Sequence, residues 1–202
     1  MVEHKDIQNP ADYSAKDYQK FRYLLFSDDT SKEEMEEICM TLAHLPTKEA
    51  KDLLEQFKTS ERAGEVEWLE CAIDENEFYY LSPENEQEER DFLAVKLIGE
   101  KDERIVELMG ECDEHELTVR KYEIELAALR ELIADNPELE HNISAIQDLM
   151  KIEQKRMEEV RRQIELEEQI QQKIRSSIQT ERYKNLDPLI VQNIHLDGEE
   201  WE

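Results

Sequence analysis

Two long stretches of the chain carry apolar residues at alternating spacings of three and four, and they meet at Asn136-Pro137. This spacing is typical of the contact seam of a coiled coil. If the chain reverses at Pro137 and the two helices pack antiparallel, the sequence numbers of any two facing residues must add up to the same total. The apolar residues of both seams fit one such total, with no insertion or offset between the helices. The facing pairs are Ile133 with Leu139, Leu129 with Ile143, Leu126 with Ile146, Tyr122 with Met150, Cys112 with Val160, and Leu108 with Ile164. We therefore predict an antiparallel coiled-coil hairpin over residues 102–182.

The residues between the seams support a turn at 135–138. Proline disfavours a helical conformation in the residue before it, so the first helix should end near Asp135. Asn136 tolerates turn dihedral angles, and Pro137 suits the first position of a new helix. The alternative is one kinked helix that buries both seams against another chain. As a helix, residues 102–134 would span roughly 50 Å.

Residues 1–83 are predicted to form a small cluster of short antiparallel helices, a head. Ser14 with Asp17 and Ser31 with Glu34 have the spacing of helix-starting capping boxes. A third helix should start after Pro46-Thr47, and a fourth at Ser60. Only 4 glycines and 5 prolines occur in 202 residues, which suits long helices and argues against a sheet with many tight turns. The predicted fold class is therefore all-α.

One stretch of the head resembles a known repeat family. The segment MEEICMTLAHLPTKEAKDLLEQFK reads as helix, proline-bearing turn, helix, and it resembles a HEAT-type repeat unit. The resemblance covers roughly residues 14–81. HEAT-like repeats imply protein binding on a concave helical surface rather than catalysis. A generic cluster of four helices is the alternative.

Two further segments complete the predicted organisation. Residues 84–101 should form a connecting helix, which Gly99 bends or ends. Residues 183–202 break the helical pattern and are predicted as an extended acidic tail. The pattern leaves open whether this tail docks on the protein or is disordered.

The charge of the chain restricts its partners. The formal net charge is −27, from 52 acids and 25 Lys and Arg residues. Direct binding to nucleic acid or to an anionic membrane is disfavoured, because both need clustered bases. No apolar run approaches the ~18 residues of a membrane span, and the first residues lack the apolar core of a signal peptide. We expect a cytoplasmic protein.

An acidic run from residue 61 to residue 91 is the predicted partner-binding surface, for a partner protein with a basic surface. The alternative is a solvated acidic face that only keeps the protein soluble. The residues assigned to the surface are Glu61, Glu65, Glu67, Glu70, Asp74, Glu75 and Glu77.

Two sets of residues have the spacing of metal ligands, but neither predicts a metal site. Cys112 and His115 share a helix face, yet the predicted register places Met157 opposite His115. The sequence Glu138–His141 is a single E-x-x-H motif, whereas di-iron bundles need two with further glutamates. Glycine-rich phosphate loops and nucleophile elbows are missing from the sequence. We predict no catalytic site, no cofactor and no metal.

The three cysteines, Cys39, Cys71 and Cys112, are predicted to be free buried thiols.

These observations predict a non-enzymatic scaffold or adaptor with a helical head and a coiled-coil arm. The arm would reach a second partner or form a homo-oligomer. One alternative is an acidic mimic of nucleic acid that inhibits a DNA-binding protein, an interpretation that rests on charge alone. A metal-binding helical protein is a third alternative.

Overall fold

The structure is a computed structural model, which describes residues 6–133, 136–192 and 194. All regular elements in this part of the chain are helices, which confirms the all-α class. The described residues form two compact units, one of residues 6–86 with Ile194 and the other of residues 87–192. Within the described ranges, no helix combines the length and apolarity needed to cross a membrane.

The head contains four α-helices: α1 (Ala15–Phe26), α2 (Lys32–Ala43), α3 (Lys48–Lys58) and α4 (Leu69–Leu81). Both predicted capping boxes are present at the starts of α1 and α2. The Thr47 hydroxyl accepts a hydrogen bond from the Ala50 amide at 3.2 Å and caps α3 as predicted. These caps satisfy backbone N–H groups that a helix start leaves unpaired.

The predicted start of the fourth helix at Ser60 is wrong. A single 3-10 turn occupies Ala63–Glu65, and α4 begins only at Leu69. Gly64 carries the lowest helix propensity apart from proline, and Val66 turns into the core with 2% of its surface exposed. The segment before α4 is therefore irregular, although Val66, Leu69 and Ile73 have the spacing of a helix face.

The core of the head lies between α4 and the other helices. α4 packs against α2 and α3, and α1 packs against the same two helices. Asn76 is fully buried in α4, and its amide nitrogen donates to the carbonyls of Leu42 and Leu45 at 2.7 and 2.8 Å. Leu42 lies in the last turn of α2 and Leu45 just beyond it, so the Asn76 side chain joins α4 to the end of α2.

The second unit is built on two long helices, α5 (Glu86–Leu132) and α6 (Glu140–Ser177). Contacts between distant residues show that they run antiparallel. Lys101 pairs with Glu167 at 3.0 Å, and further along the arm His115 pairs with Glu153 at 2.7 Å. This packing confirms the predicted helical hairpin.

Burial follows the predicted seams closely. Every described seam residue is buried or half-buried, and between residues 139 and 178 all other side chains are exposed. Leu126 and Ile146, predicted to face each other, are both buried. At the far end, Gln171 rather than Ile170 continues the seam. The heptad pattern therefore identified the contact face of both helices.

Asn136 ends the first arm as expected. Its φ of −140° and ψ of 78° are not helical, and its backbone N–H donates to the Leu132 carbonyl at 3.1 Å. Pro137–Leu139 forms a 3-10 turn before α6 begins at Glu140. Asp135, the first residue of the predicted turn, lies outside the described residues.

The predicted connecting helix of residues 84–101 is not a separate helix, because α5 continues without a break through Gly99. A Cβ atom at Gly99 would lie 3.1 Å from Pro188 Cβ and 3.3 Å from Gln192 Nε2. Gly99 therefore permits a close helix contact, and α5 does not end there.

The tail was predicted to be extended, but its described part is partly helical. Short helices α7 (Glu181–Lys184) and α8 (Pro188–Gln192) follow α6. Tyr183 is fully buried and meets Phe92 edge to face, with ring centroids 6.2 Å apart. Residues 193 and 195–202 of the predicted tail lie outside the described residues.

Candidate functional site

Most of the predicted acidic surface is engaged in ion pairs within the head. Glu67 pairs with Lys32 at 3.2 Å and Glu70 with Lys58 at 2.8 Å. These pairs raise the pKa of both lysines, because the carboxylates stabilise the charged amines. Glu70 thus connects α4 to α3, and Glu67 connects the segment just before α4 to α2.

The other five predicted residues divide between paired and solvent-facing positions. Glu65 pairs with Arg62 at 2.7 Å and Glu77 pairs with Lys51. Glu75 lies 3.2 Å from the buried His44 imidazole. Glu61 and Asp74 are exposed. Five of the seven acids thus contact basic groups of the head, and their role in partner binding remains a prediction.

A groove that the sequence did not predict lies between α1 and α3. It has two adjoining hollows of about 780 and 230 Å³, which share Arg22 and Gln56. The Arg22 guanidinium donates to the Gln56 side-chain oxygen at this shared boundary. The lining residues are Tyr18, Gln19, Tyr23, Phe26, Ser27, Asp28, Asp29, Glu49, Asp52 and Leu53.

The larger hollow combines exposed aromatic rings with carboxylates. Tyr23 is 70% exposed and Phe26 is 43% exposed. Phe26 is held in place by an edge-to-face contact with Phe57, at 6.0 Å between centroids. Asp28 and Asp29 follow directly in the chain and are exposed. Such a surface can bury an apolar group and pair with a base at its edge.

The floor of the smaller hollow is fixed by Tyr18. Its hydroxyl lies 2.8 Å from the Thr47 hydroxyl, which joins the middle of α1 to the cap of α3. Burial raises the pKa of Tyr18, and the hydrogen bond to Thr47 only partly offsets this. Tyr18 therefore stays neutral and serves as a packing residue.

One sequence signal did mark the groove. The stretch Tyr23-Leu24-Leu25-Phe26 places four large apolar side chains in consecutive positions, whereas a surface helix buries only one face. Leu25 enters the core, and Tyr23 and Phe26 remain at the surface. A consecutive apolar run at a helix end therefore leaves part of its apolar surface exposed.

The Cys112–His115 face lies in the hairpin seam, but the residue opposite His115 differs from the prediction. His115 Nδ1 lies 2.7 Å from Glu153 Oε2, one turn from the predicted neighbour Met157. Glu153 also accepts from Arg156 at 2.7 Å. Among the residues that the structure describes, no group of three possible ligands could hold a metal ion. This arrangement is a polar layer inside the seam, where such layers help to specify register.

The remaining sequence candidates are at the surface or in the core. Glu138 and His141 are exposed at the start of α6. Cys39 is buried and burial raises its pKa to about 12, which suppresses thiolate chemistry. Cys71 is exposed, so its predicted burial is wrong, because the buried face of α4 runs through Leu69, Ala72, Ile73 and Asn76 and leaves Cys71 outside it.

No protein-family model matches the chain, and neither a curated protein nor a solved structure matches it. The HEAT-like pattern of the head therefore stays a resemblance.

Proposed function

We propose that the chain is a non-enzymatic, cytoplasmic adaptor whose head binds a basic segment of a partner protein in the groove between α1 and α3. The observation that carries this proposal is the pair of exposed rings, Tyr23 and Phe26, beside Asp28 and Asp29. The helical arm provides a second interaction element.

The chemistry of the groove favours a segment with an apolar side chain next to a lysine or arginine. Aromatic residues that a partner desolvates contribute most of the binding free energy in many protein interfaces. Asp28 and Asp29 supply the charge complementarity, and Glu49 and Asp52 extend it along the smaller hollow. Opposite charges at the rim mainly raise the association rate and the specificity.

The acidic run of residues 61–77 has a separate role in this proposal. Its ion pairs stabilise the head, and its net negative potential attracts a basic partner over longer distances. A nucleic-acid mimic would instead require rows of carboxylates that no lysine neutralises. Pairs such as Glu67 with Lys32 and Glu70 with Lys58 give that alternative no support.

A displayed library of random peptides tests the proposal. The wild-type chain should enrich peptides that combine Lys or Arg with an apolar residue. Asp28→Asn with Asp29→Asn should weaken those peptides by roughly three- to tenfold, because two rim charges are lost. Tyr23→Ala should weaken them by at least about tenfold, the loss typical of a central aromatic contact.

The matched control is Asp12→Asn with Glu33→Gln, which removes two exposed acids of the same unit outside both the groove and the acidic run. Equal weakening by the control would show general charge attraction and reject the groove. Failure to enrich any basic peptide would reject the proposed partner class.

A further inference from the structure

The outward surface of α6 carries a second heptad pattern in addition to the hairpin seam. We call it the outer stripe. At 3.6 residues per turn it lies roughly 100° around the helix from the seam, because each of its positions directly precedes a seam position. Its members are Ala145, Leu149, Ile152, Arg156, Glu159, Gln163, Leu166 and Ile170.

The outer stripe is unused within the unit that contains it. Leu149, Ile152, Leu166 and Ile170 are between 37% and 56% exposed. At each end of the outer stripe the apolar residues lie three or four positions apart, a spacing suited to packing against another helix, and the stripe positions between Ile152 and Leu166 are polar.

The order of residues along the outer stripe is self-complementary. Apolar residues occupy both ends, and Arg156 and Glu159 occupy the centre. When a second copy of α6 packs antiparallel on the outer stripe, each stripe position of one copy faces a different stripe position of the other copy. A two-fold axis relates the two copies. The pairs are Ala145 with Ile170, Leu149 with Leu166, Ile152 with Gln163, and Arg156 with Glu159.

Charge decides between the two possible directions. Antiparallel packing forms two Arg156–Glu159 ion pairs, one on each side of the axis. Parallel packing would place Arg156 against Arg156 and Glu159 against Glu159, and like charges at an interface are costly. The side chains are free to change partners, because Arg156 and Glu159 are 60% and 58% exposed in their local pairs with Glu153 and Arg162.

α6 suits self-association better than α5. Residues 102–134 hold ten acids and four bases, whereas residues 145–170 hold seven acids and five bases. Two copies of α5 would therefore repel each other more strongly than two copies of α6.

We infer that the outer stripe is a homodimer interface, in which two arms pack antiparallel through α6 around a two-fold axis between Arg156 and Glu159. This inference rests on the proposed role of the arm as an interaction element, and it names the partner of the arm as a second copy of this chain. The dimer presents two heads, so a partner with two basic segments binds it with higher avidity. Lys155 of one copy and Arg162 of the other lie beside the central ion pairs and repel each other, which limits the affinity of the dimer.

Sedimentation of the full chain with exchanged charges tests the inference. We expect a monomer–dimer equilibrium with a dissociation constant on the order of micromolar, because the interface is one helix wide. Arg156→Glu alone or Glu159→Arg alone turns both ion pairs into like-charge pairs and should weaken the dimer at least about tenfold. The double variant should restore it.

The restoration is specific to the antiparallel interface. Residues 156 and 159 are also i,i+3 neighbours on one helix, so their charges affect the helix itself in the same order. Circular dichroism of the three variants should show equal helicity, which assigns the recovery to the interface. A wild-type chain that stays monomeric up to roughly 200 µM overturns the inference. A dimer that the single exchanges leave intact also overturns it.

Cysteine crosslinking gives an independent measurement in a Cys71→Ser background. Chains with Leu149→Cys should form a disulfide with chains carrying Leu166→Cys only when the two are mixed. Crosslinking of either variant with itself would indicate parallel packing and reject the inference.

Peptide binding by the Arg156→Glu variant separates the two proposals. If this variant loses the dimer but still binds basic peptides, the groove of the head functions independently of the dimer.

Discussion

At the scale of single residues, identical amino acids have opposite effects because their neighbours differ. Gly99 and Gly110 both lie inside α5, where the sequence gives no reason to treat them differently. A Cβ atom at Gly99 would press on Pro188 and Gln192, whereas nothing lies within 4 Å of a Cβ atom at Gly110. The contact partner of Gly99 comes from a segment almost ninety residues away. Sequence periodicity cannot identify such a partner, so the role of Gly99 as a contact residue could not be predicted.

These two glycines give a matched pair of substitutions. Gly110→Ala should raise the free energy of unfolding by roughly 0.5–1 kcal/mol, because alanine has the higher helix propensity. Gly99→Ala should give less than this gain, and Gly99→Val should destabilise the protein, because side-chain atoms displace α8. Urea denaturation measures both effects. Equal stabilisation by alanine at the two positions would show that α8 does not pack against Gly99.

At the scale of elements, the sequence predicts what depends on local periodicity. The seams of α5 and α6 were predictable, because each heptad contributes to one buried face and Asn136-Pro137 marks the turn. The start of α4 was not, because Val66, Leu69 and Ile73 keep the spacing of one helix face across a segment that is irregular before Leu69. The His115–Glu153 pair was also missed, because this pair and Lys101–Glu167 both lie one turn away from the facing positions that the apolar seams predict.

A substitution in the seam tests the hairpin against a close control. Leu126 is 5% exposed in the seam, and Ile124 is 72% exposed on the same helix two residues earlier. Leu126→Asp should lower the free energy of unfolding by roughly 3–5 kcal/mol, because it buries an unpaired charge and removes packing. Ile124→Asp should change it by less than about 0.5 kcal/mol. Thermal melting followed by circular dichroism distinguishes them, and similar loss in both variants would contradict the assigned seam.

At the scale of the whole molecule, contacts between residues far apart in sequence were invisible to pattern analysis. Asp91 near the start of α5 accepts hydrogen bonds from the Gln179 and Thr180 amides at 3.0 and 2.7 Å. Gln87 donates to its other oxygen at 2.9 Å. In the sequence Asp91 is one more acid of the run from residue 61. In the structure it is 1% exposed and ties the end of α6 to α5.

This buried carboxylate gives the acidic protein a distinct response to pH. Burial alone raises the pKa of Asp91, but the hydrogen bonds from Thr180, Gln179 and Gln87 outweigh it and hold the pKa below its ordinary range. The unfolded chain therefore binds the proton more tightly than the folded chain does. The stability that Asp91 contributes is present above about pH 4 and is lost as the pH falls through its folded pKa.

Comparison of the wild type with Asp91→Asn isolates this contribution from the many exposed acids, whose protonation relieves repulsion as the pH falls. Near pH 7 the variant should be less stable by roughly 2–3 kcal/mol, because an amide accepts through one oxygen and turns its NH₂ group toward N–H donors. The difference should shrink as the pH falls below about 4. Asp113→Asn, an exposed change on the same helix, controls for the lost charge. Urea denaturation across the pH range measures all three, and a difference that stays constant down to pH 3 would show that the Asp91 carboxylate does not hold the two helices together.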